Sequence, residues 1–200
     1  FISNGQIGDR FTVVAKTAPT ADPPHKGVSL LLVEADTPGF VRGKKLDKLG
    51  LRGQDTSEIF FEDCRVPSSN LLGQEGQGFR YILDGMNAER ILIAAECIGD
   101  GYWFIDRART YAGERTVFDR PIGKNQGIQF PIARAYANVR AADLMRYDAA
   151  RLFDDGKPAG AEANMAKLLA ADASWEAANV CLQTHGGFGF AAEYDVERKF

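Results

Sequence analysis

The stretch GQGFRYILDGMNAERILIAAE (76–96) separates two halves of the sequence that differ in pattern. Before it, short apolar runs alternate with turn residues, which indicates β-strands. From Phe79 onward, apolar residues recur at helical spacing and predict a helix of about 30 residues that extends to Tyr111. Within this mostly apolar segment, Glu89 and Arg90 place an acid and a base side by side.

The composition is that of an ordinary globular protein and excludes several classes of function. Two hundred residues are enough for one or two domains. The net charge of −3 gives no reason to expect nucleic acid or an anionic membrane as a partner. No apolar run reaches the length of a membrane span. The three cysteines, Cys64, Cys97 and Cys181, are odd in number and widely spaced, which favours a reducing compartment over a disulfide framework or a zinc site.

The first half contains four candidate strands with turn residues between them. They are FTVVAKT (11–17), VSLLLVEA (28–35), FVRGKKL (40–46) and SEIFFEDCRVP (57–67), the last ended by Pro67. A Pro-rich surface loop (18–25) and a loop over 68–78 complete this half. Short strands at this spacing predict an antiparallel barrel or sandwich rather than a parallel sheet.

The second half predicts long helices with short connections. Pro121 and Gly123 break the first helix. A second helix is expected from Ile128 to Phe153 with Pro131 in its first turn, and a third from Ala161 to about Thr184. EYDVERKF (193–200) begins a fourth. The predicted fold is therefore α+β: residues 1–75 form part of an antiparallel β-barrel or sandwich, and residues 76–200 form an antiparallel four-helix bundle. Both ends fall inside patterned segments, so each domain is expected to be incomplete.

Three features have a possible chemical role, and each also has a purely structural interpretation. HGGFGF (185–190) is either a helix stop or a place where the backbone approaches a flat or phosphorylated ligand. Arg115 either binds a phosphate or belongs to a solvated loop. Glu89 is either a general base in an apolar site or a helix glutamate that is ion-paired or solvated. His25 and His185 lack neighbours at ligand spacing, so no metal site is expected.

Four segments together resemble the acyl-CoA dehydrogenase family. FISNG (1–5) is similar to the family's W-I-T-N-G segment, with Phe1 in the Trp position and Ser3 in the Thr position. Residues 46–79 resemble the run from the barrel into the first bundle helix. ERTVFDRPIGKNQ (114–126) resembles the R-x-x-F-G…Q motif, although Asp119 replaces the usual Gly. QTHGGFGFAAEYDVER (183–198) matches the family's glycine signature.

The resemblance implies an FAD-dependent enzyme and assigns residues to its sites. The implied base is Glu89, because a minority of the family places the catalytic carboxylate next to the helix arginine. In many other members the base is a glutamate that follows the EYxVER helix, beyond residue 200, and this alternative stays open. Asn87 and Arg90 would contact the acyl-CoA substrate. Ser3 would reach the flavin N5 region, and Arg115 would bind the pyrophosphate of a flavin held by a neighbouring subunit. The implied cofactor contacts are Phe1, Ile2, Ser3, Arg115, Phe118, Gln126, Gln183, Gly186 and Gly187.

The activity that the resemblance implies is α,β-desaturation of an acyl-CoA thioester, as in fatty acid β-oxidation. A base removes the α-proton, a hydride passes from the β-carbon to flavin N5, and an electron-transfer flavoprotein accepts the electrons. A homotetramer, built as a dimer of dimers, is implied as well. Its location would be the bacterial cytoplasm, or the mitochondrial matrix in a eukaryote. The alternatives on the same fold are an acyl-CoA oxidase, a flavin monooxygenase and a flavin-free, non-catalytic member.

Overall fold

A computed structural model describes all 200 residues and divides them into two compact units, Phe1–Asp84 and Gly85–Phe200. The division falls inside the long helix α1 (Gly78–Glu114), so the first turns of this helix belong to the first unit. The mixed α+β fold predicted from the sequence is confirmed. None of the helices combines the length and the apolarity needed to cross a bilayer.

The first unit contains two antiparallel sheets. One has the strand order β1 (Ile2–Ser3), β5 (Thr56–Phe61), β4 (Phe40–Lys45). The other pairs β2 (Arg10–Lys16) with β3 (Val28–Glu34). These strands coincide with the apolar runs of the sequence. Successive side chains of a strand point to opposite faces of the sheet, so an apolar run gives the strand an apolar face to bury.

One strand is shorter than its sequence predicts. The run 57–67 was expected to continue to Pro67, but β5 ends at Phe61. Asp63 has a φ of 50°, in the left-handed region, and this conformation is incompatible with an extended strand. The expectation of a strand through Cys64 was therefore wrong.

The segment that leads into α1 is attached to β3 by hydrogen bonds. The Ser29 hydroxyl is fully buried, shares a hydrogen bond of 2.8 Å with the Thr17 hydroxyl and accepts the Gly76 N–H at 2.9 Å. The Asn70 side-chain amide donates to the Leu32 carbonyl at 3.0 Å. These contacts fix where the helix begins.

The second unit is a helical bundle. It contains the rest of α1, α2 (Gln126–Asp154), α3 (Gly160–His185) and the short α4 (Asp195–Lys199). Its core consists mainly of alanines, which allow the helix backbones to approach closely: Ala94, Ala108, Ala135, Ala142, Ala149, Ala166, Ala170, Ala173, Ala177 and Ala178. Val196 of α4 is buried in the same core.

Two details of α2 and its approach differ from expectation. Pro131 lies inside the helix rather than in its first turn, because α2 begins at Gln126, before the predicted Ile128. A two-stranded hairpin that the sequence did not predict joins α1 to α2: β6 (Thr116–Val117) pairs with β7 (Arg120–Pro121). Its two-residue loop is Phe118–Asp119, with φ values of 52° and 60°.

Candidate functional site

The predicted flavin-ring contacts, Phe1, Ile2 and Ser3, are exposed at one end of the three-stranded sheet. Ile2 pairs with Ser57 and Ser3 pairs with Thr56, so β5 holds this strand in place. Backbone pairing therefore holds Ile2 and Ser3, and all three side chains are exposed.

The turn after β1 is closely packed and adjoins two buried polar atoms without hydrogen-bond partners. Asn4 has a φ of 61°, and the Gln6 N–H donates to Asp55 Oδ2 at 2.7 Å. A Cβ on the buried Gly5 would collide with the Ser57 hydroxyl. Asp55 Oδ1 and Ser57 Oγ are buried and have no hydrogen-bond partner. Buried polar atoms in proteins are normally satisfied, so these two atoms at the start of β5 are exceptions.

In the helical unit, Arg115 and the glycine turn lie together. The Arg115 guanidinium carbon is 5.7 Å from the ring centroid of Phe188, in the turn Gly186–Phe190. Arg115 is exposed and forms no ion pair. Gln183, one helical turn earlier than Gly187, is also exposed. The structure thus brings Arg115, Gln183, Gly186 and Gly187 to one end of the bundle.

The glycines of this turn differ in whether the structure requires glycine at their position. Gly186 has φ 59° and ψ −132°, a conformation that a residue with a Cβ avoids, and its N–H caps α3 by donating to the Gln183 carbonyl. A Cβ on Gly189 would lie 2.7 Å from the Leu182 carbonyl oxygen. Gly187 has neither constraint: its φ is ordinary and a Cβ would meet nothing within 4 Å. The helix stop is therefore observed at Gly186, and the approach of a ligand to the open backbone of Gly187 stays a prediction.

Phe118 and Gln126 lie on the connection that follows Arg115. The Ile122 N–H donates to the Arg115 carbonyl at 2.9 Å, which closes the hairpin back onto the end of α1. Phe118, at the tip, is 95% exposed and has a positive φ. A bulky residue rarely adopts this conformation, and here no packing within the chain compensates the strain. Gln126 is exposed at the first position of α2.

Glu89 is exposed on α1 and forms no ion pair. Its neighbour Arg90 is half-buried and donates to the Asn87 side-chain oxygen at 3.3 Å. Of the structural interpretations, pairing with a distant arginine is not observed, and the solvated glutamate is. The carboxylate is exposed and, within this chain, does not lie in the apolar site expected for a general base. Asn87 and Arg90 lie beside it on the same helix.

Glu89 and Arg115 lie at opposite ends of the bundle. The rise of an α-helix separates them by about 39 Å along α1. Arg115 therefore does not contact a small group held at Glu89 of the same chain.

An aromatic cluster supports the glycine turn, and sequence reasoning missed it. His185, 6% exposed, stacks on Tyr111 with ring centroids 4.1 Å apart and an interplanar angle of 23°. The sequence predicted His185 at a helix end, where it does lie, but the partner on another helix has no signal in local spacing. Cys181 and His185 do not form a nucleophilic pair, because burial raises the pKa of the Cys181 thiol to about 12.

A further cavity lies elsewhere in the helical unit. It has a volume of about 860 Å³ and lies between α1, α2 and the loop before α2, lined by Tyr102, Ile105, Ile132 and Tyr136 among others. None of the residues assigned to a site from the sequence lines it.

Two family models match the chain. The acyl-CoA dehydrogenase middle domain matches residues 1–64, and the acyl-CoA dehydrogenase C-terminal domain matches residues 76–200. An acyl-CoA dehydrogenase of Bacillus subtilis is 43% identical over 198 residues, which cover 99% of this chain and 52% of that protein. An acryloyl-CoA reductase (NADH) of Anaerotignum propionicum is 40% identical over 200 residues, which cover all of this chain and 50% of that protein. The chain thus spans about half the length of these curated relatives.

Solved structures agree with this assignment. An acyl-CoA dehydrogenase of Geobacillus kaustophilus superposes with a TM-score of 0.95 at 38% identity, and this chain covers 52% of it. A structure described as the electron transferring flavoprotein of Acidaminococcus fermentans gives 0.93 at 38% identity and 52% coverage. PigA with FAD and proline gives 0.95 at 32% identity and 51% coverage. Each of the three matches covers the whole of this chain, so the chain belongs to the acyl-CoA dehydrogenase family.

Proposed function

We propose that the full-length protein is an FAD-dependent acyl-CoA dehydrogenase with Glu89 as the catalytic base. The observation that carries this proposal is the unpaired, outward-facing carboxylate of Glu89, next to Arg90 on α1 of a member of this family. A carboxylate held in an ion pair would be a weaker base, because the cation stabilises its ionised form.

The residues present fit an FAD cofactor. Arg115 has a guanidinium without a carboxylate partner, which suits a pyrophosphate, and Gly187 leaves room for direct contact with its backbone. Gln183, Gly186, Phe118 and Gln126 would complete the contacts to the adenosine half of the cofactor. Phe1, Ile2 and Ser3 would lie against the flavin ring. FAD supplies the hydride acceptor when bound, and its presence in the related PigA structure supports this choice.

Glu89 would remove the α-proton of the acyl thioester. Asn87 and Arg90 would position the substrate beside it, since both are only partly buried and lie within one helical turn of Glu89. Binding of the acyl chain would displace water from the carboxylate, and loss of water raises the pKa of a carboxylate and so makes it a stronger base.

The cofactor of one active site would draw on two chains. Glu89 and Arg115 are separated by about 39 Å along one helix. Supply of Arg115 by a neighbouring subunit removes the need for one cofactor to span that distance. Exposed apolar side chains on α2 and α3 are consistent with further association: Phe130, Leu144, Tyr147, Leu168 and Trp175. A homotetramer, arranged as a dimer of dimers, satisfies both requirements.

The electron acceptor is a separate proposal. We assign this role to an electron-transfer flavoprotein, and the match to a structure described as such a protein supports it. The location would then be the bacterial cytoplasm or the mitochondrial matrix. Two assays of the full-length enzyme test the assignment. In the first, an electron-transfer flavoprotein or oxygen is supplied as the acceptor with an acyl-CoA; in the second, NADH is supplied as the donor with an enoyl-CoA. Rapid turnover with oxygen alone would indicate an oxidase instead, and rapid enoyl-CoA reduction by NADH would indicate a reductase such as the Anaerotignum relative.

The base is tested by Glu89→Gln in the full-length protein. We expect FAD to remain bound and turnover to fall by about a hundredfold or more, the usual contribution of a general base. Glu96→Gln is the matched control, since Glu96 is another exposed glutamate of α1. Near-normal activity of Glu89→Gln would assign the base to a different carboxylate. A colourless wild-type protein that does not take up added FAD would overturn the enzyme proposal altogether.

A further inference from the structure

The ends of α1 and α3 are joined by an aromatic cluster that consists of Tyr111, His185, Phe188 and Tyr194. Tyr111 and His185 stack at 4.1 Å, and Tyr194 packs with its edge against both rings, at 5.8 Å from Tyr111 and 5.6 Å from His185. Phe188 lies 5.4 Å from Tyr194. His185, Phe188 and Tyr194 lie within the glycine signature (183–198), but none of the four cluster residues is assigned a cofactor contact.

A hydrogen bond fixes the orientation of the His185 ring. Nδ1 lies 2.8 Å from the Cys181 carbonyl oxygen. A carbonyl oxygen only accepts, so Nδ1 carries the proton and donates. The ring therefore has one tautomer and one orientation, and its face is presented to Tyr111.

The cluster connects two groups that the proposed function assigns to the cofactor. Tyr111 precedes Arg115 by one helical turn on α1, and the Arg115 N–H donates to the Tyr111 carbonyl at 2.8 Å. His185 directly precedes Gly186. The Tyr111–His185 stack thus joins the turn of helix below Arg115 to the residue that begins the glycine turn. Phe188 makes the second connection, since it lies against Tyr194 and under the Arg115 guanidinium.

We propose that His185 is a positioning residue: stacked on Tyr111, it aligns the glycine turn with Arg115, so that the two form one binding surface for the pyrophosphate and adenosine of FAD. The inference rests on the proposed function. It adds residues that do not themselves touch the cofactor and act through Arg115 and Gly187. Preorganisation of this kind increases affinity because the surface is already ordered before the ligand binds.

Two matched substitutions separate the ring from the hydrogen bond. His185→Phe retains a flat ring and removes the Nδ1 donor, whereas His185→Asn retains a donor near the Nδ1 position and removes the stack. FAD affinity is measured by titration of the full-length apoprotein, with thermal unfolding of the same apoprotein as the second readout. We expect His185→Asn to weaken FAD binding about fivefold to tenfold, in line with the strength of an aromatic pair, and His185→Phe to change it less than about threefold.

A double-mutant cycle distinguishes positioning from a general loss of stability. If the stack acts by aligning Arg115, His185→Asn costs little further FAD affinity in the Arg115→Ala background. The melting temperature of the apoprotein, in contrast, falls by the same amount in both backgrounds. If His185→Asn does not fold, Tyr111→Leu replaces it in the double-mutant cycle with Arg115→Ala. Tyr111→Phe, which retains the ring, is then the conservative control.

Three results would overturn the inference: unchanged FAD affinity in His185→Asn, additive losses in the cycle, or equal losses in the Phe and Asn variants. Failure of the wild-type protein to bind FAD would instead overturn the proposed function. The two failures are therefore distinguishable in one set of titrations.

Discussion

The guanidinium of Arg115 lies over the ring of Phe188, with its central carbon 5.7 Å from the ring centroid. This contact places the positive charge at the glycine turn without neutralising it, because an aromatic ring orients a cation and leaves its N–H groups free to donate. Two arginines near the same end of the bundle are ion-paired instead: Arg109 with Asp106, and Arg107 with Asp195. Arg115 is thus an oriented cation available for an anion.

Replacement of Arg115 tests this interpretation. Arg115→Ala is expected to weaken FAD binding by about ten- to a hundredfold, the contribution of hydrogen bonds to a charged group. Arg115→Lys should recover only part of the affinity, because an ammonium does not bind a phosphate bidentately. If a neighbouring subunit binds this cofactor, sedimentation of the apoprotein and the FAD-loaded protein should also show that Arg115→Ala weakens the FAD-dependent part of association.

The matched control is Arg109→Ala, which removes an exposed arginine from the end of α1, six residues before Arg115. Its FAD affinity should be that of the wild type. Equal losses in the two variants would show a general charge effect, and no loss in Arg115→Ala would remove the residue from the cofactor site.

Gly187 provides a test that separates folding from binding. A Cβ at this position meets nothing in the chain, and the backbone conformation tolerates alanine. Gly187→Ala should therefore change the free energy of unfolding of the apoprotein by no more than about 0.5 kcal/mol. A Cβ that intrudes on a bound ligand should cost about 1–3 kcal/mol of FAD binding.

Substitutions of two other glycines are controls for the effects of Gly187→Ala on stability and on FAD affinity. Gly99→Ala, in the exposed middle of α1 with nothing within 4 Å, should stabilise the protein by about 0.5–1 kcal/mol without affecting FAD. Gly186→Ala should destabilise the apoprotein itself, because its φ is 59°. Wild-type FAD affinity in Gly187→Ala would show that no ligand approaches this backbone.

Sequence patterns predicted the long helices, because the spacing of apolar residues in a helix follows the face that is buried. Ala94, Ile98 and Ile105 of α1 recur at helical spacing and are buried in the core. The four main strands were likewise visible as apolar runs. The hairpin between α1 and α2 was not, since its loop Phe118–Asp119 lacks the Asn-Gly signal of a two-residue turn.

The site was only partly predictable, for a different reason. Motifs indicated Arg115 and Gly187 through the family resemblance, but their proximity depends on packing between distant parts of the chain. The stack of Tyr111 on His185 has no local signature for the same reason. The sequence also did not determine whether the Glu89 side chain is buried or exposed. A residue at the edge of an apolar stripe is buried or exposed according to how the neighbouring helices pack.

Phe118, at the tip of the hairpin, is expected to lower the stability of the apoprotein and to increase its affinity for FAD. Phe118 is 95% exposed at a φ of 52°, which costs a residue with a bulky side chain about 1–2 kcal/mol. Phe118→Asn should raise the free energy of unfolding of the apoprotein by about 0.5–1 kcal/mol, since asparagine tolerates this region. The same variant should bind FAD more weakly. Chemical denaturation and FAD titration measure the two effects.

Asp119→Gly is the control for the backbone alone. Asp119 has a φ of 60°, so glycine should relieve strain by a few tenths of a kcal/mol to about 1 kcal/mol and leave FAD affinity unchanged. If Phe118→Asn is stabilising and binds FAD normally, the ring has no part in the cofactor site.

The buried thiol of Cys181 predicts how stability depends on alkaline pH. Burial raises its pKa in the folded protein from 9.0 to about 12. Between these values the unfolded chain releases the proton and the folded protein retains it, so the unfolded state binds fewer protons. The free energy of unfolding therefore falls as pH rises above 9.0, by up to about 1.4 kcal/mol per pH unit.

Cys181→Ala removes this titration. The variant should be less stable than the wild type near neutral pH, because it loses buried atoms from the core, but the difference should narrow as pH rises through about 9 to 10. Urea denaturation of both proteins across this range measures the difference. Ala166→Gly, a change in the same helix without a titratable group, should differ from the wild type by a constant amount. Parallel pH curves for the wild type and Cys181→Ala would show that the thiol ionises equally easily in the folded and unfolded states, which contradicts its burial.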